Sequence, residues 1–216
     1  MSENTEMPLG LYIQSSLKGA WKLVQAKPNA MEYFDLSSDG FWKSFWAIAV
    51  MLPAYALWTY FNLQGGTREI AEGVELAHPF LAEGIFFFTT LPLTAFVMIY
   101  FTKWMNISSN YSSMVIAYNW MSALIYLILV SMTMILSSGL VSGELSTALL
   151  IMLNFYFGFY VVWYTLKNSL QIGGVFAIGV LLFVKLLETV SMVLLYQIFN
   201  PEYFNAVVDT INNQPS

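Results

Sequence analysis

Hydrophobic residues in this chain run in long stretches and do not alternate with polar ones. Five windows, roughly residues 42–63, 79–102, 112–137, 146–166 and 172–197, are mostly apolar. Each has about the 20 residues that a helix needs to cross the hydrocarbon core of a bilayer. In lipid the backbone must satisfy its own hydrogen bonds, which leaves helices or a closed barrel. No window shows the alternation of about ten residues that a barrel strand carries. The pattern predicts an all-α polytopic membrane protein with five transmembrane helices. Residues 1–41 form an N-terminal segment, 42–197 the bundle, and 198–216 a short tail.

Polar residues between the windows set the expected orientation. Lys18, Lys22, Lys27, Lys43, Lys103 and Lys167 fall on one side, and Arg68, among Glu69, Glu72 and Glu75, falls on the other. Short cytoplasmic loops are enriched in Lys and Arg. The N-terminus is therefore expected in the cytoplasm and the C-terminus outside, in agreement with an odd number of spans. Trp42, Trp46, Trp58, Trp104 and Trp163 lie near span ends, where interfacial aromatics belong. Residues 1–8 are polar and acidic, so no cleavable signal peptide is read there and the first span is the expected insertion signal. The glycosylation-like triplets at Asn106 and Asn110 lie on the expected cytoplasmic side and are read as chance matches.

Residues 9–27 have helical periodicity. Ile13, Leu17, Ala20, Trp21 and Val24 share one face, Gln14, Lys18, Lys22 and Gln25 the other, and Pro28 stops the run. Such an amphipathic helix suits an anionic lipid surface, where Lys18, Lys22 and Lys27 would each contribute roughly 1 kcal/mol. It equally suits the cytoplasmic end of the bundle. Ser38 or Asp39 is the expected cap of the first membrane helix. Residues 64–78 form an outer loop in which a short helix would turn Ile70 and Val74 to the membrane. Glu69, Glu72, Glu75 and His78 recur there every three residues. Carboxylates and imidazole suit a divalent ion, but a step of three drifts around a helix, so a solvated acidic face is preferred and no metal site is assigned. Asn200-Pro201 opens a tail helix over 200–212, with Phe204, Val207, Val208 and Ile211 on its apolar face.

Composition narrows the function classes. The 216 residues are 58% hydrophobic and 10% charged, with mean hydropathy +0.64. Soluble domains are about 45–50% apolar and about 25% charged, so a soluble fold is excluded. Eight basic against thirteen acidic residues leave no footprint for nucleic acid. The absence of cysteine removes thiol catalysis, cysteine-bound metals and disulfides. The sequence has no H-E-x-x-H, G-x-S-x-G or P-loop pattern, one histidine, and no aspartate inside a predicted span. Neither an enzyme nor a cofactor is expected.

The sharpest intramembrane feature is Lys185 with Glu188. Ionisable groups within a span are costly and face the bundle or water, and an i, i+3 spacing brings them together. Asn154, in the fourth span, is placed at a similar depth, with Tyr156 and Tyr160 as further donors and Asn119 nearer the cytoplasm. Glu83 falls at headgroup level. Three readings stand: a self-neutralised pair that fixes packing, a docking site for a partner's helix, and a relay or substrate anchor. Pro53 and Pro92 lie at similar depths in antiparallel spans and are expected to kink them, either to open a cavity or to fit the two helices together. Gly173 with Ala177, Gly158 and Gly179 are places for close approach.

The stretch AKPNAMEYFDLSSDGFWKSFWAIAVMLPAYAL carries a resemblance. Lys27-Pro28, Phe34 to Ser37, Gly40 to Phe45 and Pro53 resemble the opening of a group of uncharacterised inner-membrane proteins of alphaproteobacteria. The architecture is more distantly similar to the Yip superfamily, which has five spans and a cytoplasmic N-terminus. The D-L-Y-G-P motif of that superfamily is absent; Asp35-Leu36-Ser37-Ser38 stands in its place. The resemblance implies five spans and a bacterial inner membrane, and it transfers no functional residue. The expected role is a non-catalytic protein that organises or joins a membrane complex, with the bilayer and either a membrane-protein partner or a second copy as companions. The alternative is a small transporter or channel component using Lys185 and Glu188.

Overall fold

The computed structural model of the chain describes residues 7–65, 67–71 and 74–212. Five helical stretches are long and apolar enough to cross a membrane: Ser38–Gln64, Phe80–Trp104, Ser108–Ser137, Gly143–Leu170 and Gly174–Phe199. Each contains most of the window that hydropathy marks. The protein is an all-α membrane bundle.

Helix α1 (Leu9–Val24) leads through a 3-10 turn (Ala30–Tyr33) to α2 (Ser38–Lys43) and α3 (Trp46–Gly65), which together make the first span. The cap of α2 is Ser37, whose hydroxyl accepts from Gly40 N at 3.1 Å, and not Ser38 or Asp39, which already lie inside the helix. Next come strands β1 (Thr67–Ala71) and β2 (Val74–Ala77), then α4 (Phe80–Trp104) and α5 (Tyr111–Ser137). The fourth span is made of α6 (Gly143–Phe155), a π-helical turn (Tyr156–Val161) and α7 (Val162–Leu170). Helices α8 (Gly174–Phe199) and α9 (Pro201–Asn212) complete the chain.

The loop over 64–78 is an antiparallel hairpin, not a short helix. Its register sets Thr67 opposite Ala77 and Glu69 opposite Glu75. The three-residue repeat therefore marks no helix face, and Glu72 lies outside the described residues. The tail helix forms as expected. Tyr203 is buried, while Val208 and Ile211 stay exposed on its outer surface. Pro53 and Pro92 sit within helices that continue through them, and both rings are exposed on the outside of the bundle.

Helix α5 is the axis. In its first half, Met114 through Met121 are all buried, because α1, α2, α3, α4 and α7 pack around it. Helix α1 is part of this packing. Its buried stripe is Tyr12, Ser16, Gly19, Ala20, Leu23 and Val24. That stripe is rotated from the expected face, and Trp21 is exposed. The reason is side-chain size. Ser16, Gly19 and Ala20 allow close approach, and a Cβ on Gly19 would meet the Phe34 ring at 2.8 Å. The helix ends before Pro28. Ala26 turns left-handed (φ 53), and Lys27 N bonds to Lys22 O at 2.9 Å in a Schellman arrangement. Lys18 and Lys27 are exposed, and Lys22 lies 4.9 Å over the Tyr33 ring.

The far end of α1 is tied to the fourth span. Tyr156 donates its hydroxyl to Val24 O at 2.7 Å. Tyr156 is at the centre of a 28-residue stretch, about 42 Å long at 1.5 Å per residue. A hydrocarbon layer of about 30 Å spanned by that helix contains its midpoint. Residues 9–40 run out along α1 and return to α2, packed on the third and fourth spans. At the base of this segment Tyr12 donates to Gly40 O (2.8 Å) and accepts from Trp120 Nε1 (3.1 Å). Asn119 Nδ2 donates to Ser44 Oγ at 2.9 Å. Burial pushes the Tyr12 phenol up from its ordinary range, so its hydroxyl stays protonated as a donor.

Candidate functional site

Lys185 and Glu188 meet as their spacing predicts, one turn apart on α8, with Nζ 2.8 Å from Oε2. A third group completes the site. The Tyr118 hydroxyl of α5 donates to Glu188 Oε1. One carboxylate thus holds an ammonium with one oxygen and a phenol with the other. The side chains of Lys185 and Glu188 are 31% and 19% exposed, which leaves each facing a different space.

Glu188 faces inward. It lines a cavity of about 320 Å³ between the first, second, third and fifth spans. Aromatic residues make much of the wall. Tyr55 stacks on Phe87 with centroids 4.2 Å apart, Phe87 meets Tyr126 at 5.6 Å, and Trp58 and Phe86 are beside them. Ser122 and Thr90 add hydroxyls. Glu83 is the second carboxylate on this wall. Tyr196, eight residues beyond Glu188 on α8, donates to it at 3.3 Å, and His78 Nδ1 lies 3.5 Å from its other oxygen. Glu83 therefore stands about two helical turns, or about 12 Å, further along α8 than Glu188. The cavity runs from mid-bundle toward the hairpin face. The packed first half of α5 blocks the opposite direction.

Lys185 faces outward. With Thr147, Leu150, Ile151, Asn154, Phe155, Gly158 and Phe159 it lines a second space of about 600 Å³, a cleft between the fourth and fifth spans. The cleft exists because α7 packs on α8 whereas α6 leans on α5, so the two spans part toward the hairpin face. Of the thirteen residues of α6, Ser146 alone is buried. Asn154 sits in this cleft, exposed, and its Nδ2 bonds to Leu150 O of its own helix at 2.8 Å. The structure therefore brings Asn154 to the Lys185 side of the pair and away from Glu188. The π-helical turn begins two residues after Asn154 and carries Gly158 to the cleft wall. Such turns are rare and recur at functional sites.

The other sequence candidates separate. His78 Nδ1 pairs with Glu83, while the side chains of Glu69, Glu72 and Glu75 lie outside the described residues. Lys18, Lys22 and Lys27 stay on the N-terminal segment, and Pro53 and Pro92 lie outside both spaces. Tyr118 and Glu83 were not joined to Lys185 and Glu188 by any pattern. Tyr118 is 70 residues from its partner, and in a half-helix buried on every side no periodicity marks which residue faces α8. The chain was compared with protein-family models, with curated proteins and with solved structures, and none of the three yields a match.

Proposed function

We propose that this chain is a non-catalytic integral membrane protein that joins or organises a membrane complex. The lysine distribution and the resemblance of residues 27–53 support a bacterial inner membrane, with a cytoplasmic N-terminus and a periplasmic C-terminus. The observation that carries the functional reading is the uncovered outer half of the fourth span. Asn154 and Thr147 stand exposed there at the depth of an apolar helix, beside the half-buried Lys185. An amide or ammonium facing lipid is costly, and a neighbouring helix that supplies hydrogen bonds removes the cost. The ion pair supports the same reading. It is closed by Tyr118 within one chain, as a packing element is, and its lysine end alone reaches the cleft.

The test is mild-detergent extraction from native membranes, followed by native mass and composition. A stoichiometric second subunit, foreign or a second copy, is expected, and Asn154→Leu should weaken its retention. A chain recovered alone with lipid, and unaltered by Asn154→Leu, would overturn the proposal. The cavity that reaches Glu188 from the hairpin face favours a second reading, a small transporter component. That reading predicts ion or solute flux in liposomes that is lost in a folded Glu188→Gln protein.

A further inference from the structure

We infer that the cleft face of α6 binds α6 of a second copy of this chain, in parallel, with Asn154 facing Asn154 across a two-fold axis. The inference rests on the reading of the cleft as an assembly face and names its occupant. Three observations lead there. The first is an uncovered helix. Within the chain α6 packs mainly on α5, and Thr147, Ile151 and Asn154 stand exposed on its cleft side. The second is spacing. Thr147, Ile151, Asn154 and Gly158 follow one another in steps of four, three and four residues. That is the seam along which two helices pack at a shallow left-handed crossing, the usual arrangement in membrane bundles. Nothing lies within 4 Å of the position a Cβ on Gly158 would take, so a neighbouring backbone can approach closely there. Phe155 and Phe159, stacked with centroids 5.3 Å apart, flank the seam.

The third is electrostatic complementarity. Asn154 donates one N–H to Leu150 O. Among the described residues its other N–H and its Oδ1 have no partner. One amide therefore presents a free donor and a free acceptor near the middle of the fourth span, and it is complementary to itself. Copies inserted the same way are related by a two-fold axis along the membrane normal. Such an axis sets α6 parallel to its counterpart and places each seam residue opposite its own copy. The two Asn154 amides then exchange hydrogen bonds, Nδ2 donating to Oδ1 in both directions. Each Oδ1 keeps a second lone pair. Lys185, which among the described residues bonds only to Glu188, has two N–H left to offer across the cleft. A lipid tail supplies neither donor nor acceptor. A foreign helix must bring both at the same depth, whereas a second α6 brings them by identity.

Disulfide trapping in native membranes tests this, because the chain has no cysteine of its own. Single cysteines replace Thr147 or Ile151 on the seam. Leu145 and Met152 serve as controls, likewise exposed but about 140° around α6. A disulfide needs Cα atoms within about 7 Å of each other. Two differently tagged copies are co-expressed and oxidised with copper phenanthroline before solubilisation. Thr147→Cys and Ile151→Cys should each give a mixed-tag dimer at least tenfold faster than the controls. Adding Asn154→Leu should slow trapping of Ile151→Cys at least fivefold, and Asn154→Gln, which keeps the amide, should restore most of it. Asn154 is exposed in the single chain, so far-UV circular dichroism and monodispersity of these variants should match wild type. The ratio of seam to control decides the matter even where an Asn154 variant fails to fold. Equal trapping at seam and control positions, or trapping indifferent to Asn154→Leu, would overturn the inference. Absence of the mixed-tag dimer from a chain that still carries a stoichiometric foreign subunit would overturn the second copy and leave the assembly reading standing. A chain recovered alone and untrapped would overturn both.

Discussion

Replacing Glu188 by Leu should damage the protein more than replacing Lys185 and Glu188 together. The single change strands an ammonium that is 31% exposed and removes the acceptor of Tyr118. Breaking a buried pair costs about 3–5 kcal/mol, and the partial exposure of both side chains places this one near the lower figure. The double change to Leu removes both charges and leaves the Tyr118 hydroxyl without its carboxylate. An unsatisfied buried hydroxyl costs about 1–3 kcal/mol. Adding Tyr118→Phe removes that hydroxyl too, and the triple variant should return to within about 1 kcal/mol of wild type, as matched apolar replacement of buried ion pairs often does. The assay is reversible unfolding in mixed micelles, with SDS mole fraction as denaturant and circular dichroism as the signal. The expected order of stability is wild type, close to the triple, then the double, then the single. A double variant no more stable than Glu188→Leu would refute the view that the pair neutralises itself. A triple less stable than the double would refute the role given to Tyr118.

Three further outcomes follow from the geometry. Tyr12→Phe removes a donor to Gly40 O and an acceptor of Trp120 Nε1, and it should cost about 2–4 kcal/mol in the same micelle assay. Gly40→Ala places a Cβ 2.0 Å from Asp35 O; it should undock the N-terminal segment and speed tryptic cleavage after the exposed Lys18 at least tenfold, and unchanged cleavage would contradict the clamp. Because the chain has no cysteine, single cysteines at Ser108 and Ser142 report topology cleanly. The former should label only after the cytoplasmic side is opened and the latter from outside, and reversed labelling would invert the orientation.

The spans were legible because a bilayer imposes one requirement, about 20 apolar residues, that is written in consecutive letters. Lys185 and Glu188 were legible because both lie on one helix. What joins helices was not. In a soluble bundle a polar face marks the outside, but here both faces of a span are apolar, and the half of α5 from Met114 to Met121 has no outside at all. Tyr118, Trp120 and Asn119 therefore gave no sign that they reach three different elements. The buried face of α1 is hard to read for a related reason. Trp21 and Leu17 look like buried anchors, yet the close contact is made by Ser16, Gly19 and Ala20, where bulk is missing. The hairpin was hidden because its glutamates and small residues have weak strand preference, and pairing across a short turn supplies what the letters lack.

The anchoring of the N-terminal segment also sets an order of events in biosynthesis. Its anchors are Trp120 and Tyr156, 108 and 132 residues downstream of the groups they hold. At about 5–20 residues per second, a ribosome needs roughly 5–26 s to supply them. The first segment made is thus among the last to find its place. During that interval α1 has no third or fourth span to lean on, and its exposed Leu11, Trp21 and Lys18 suit it to wait at the lipid headgroups.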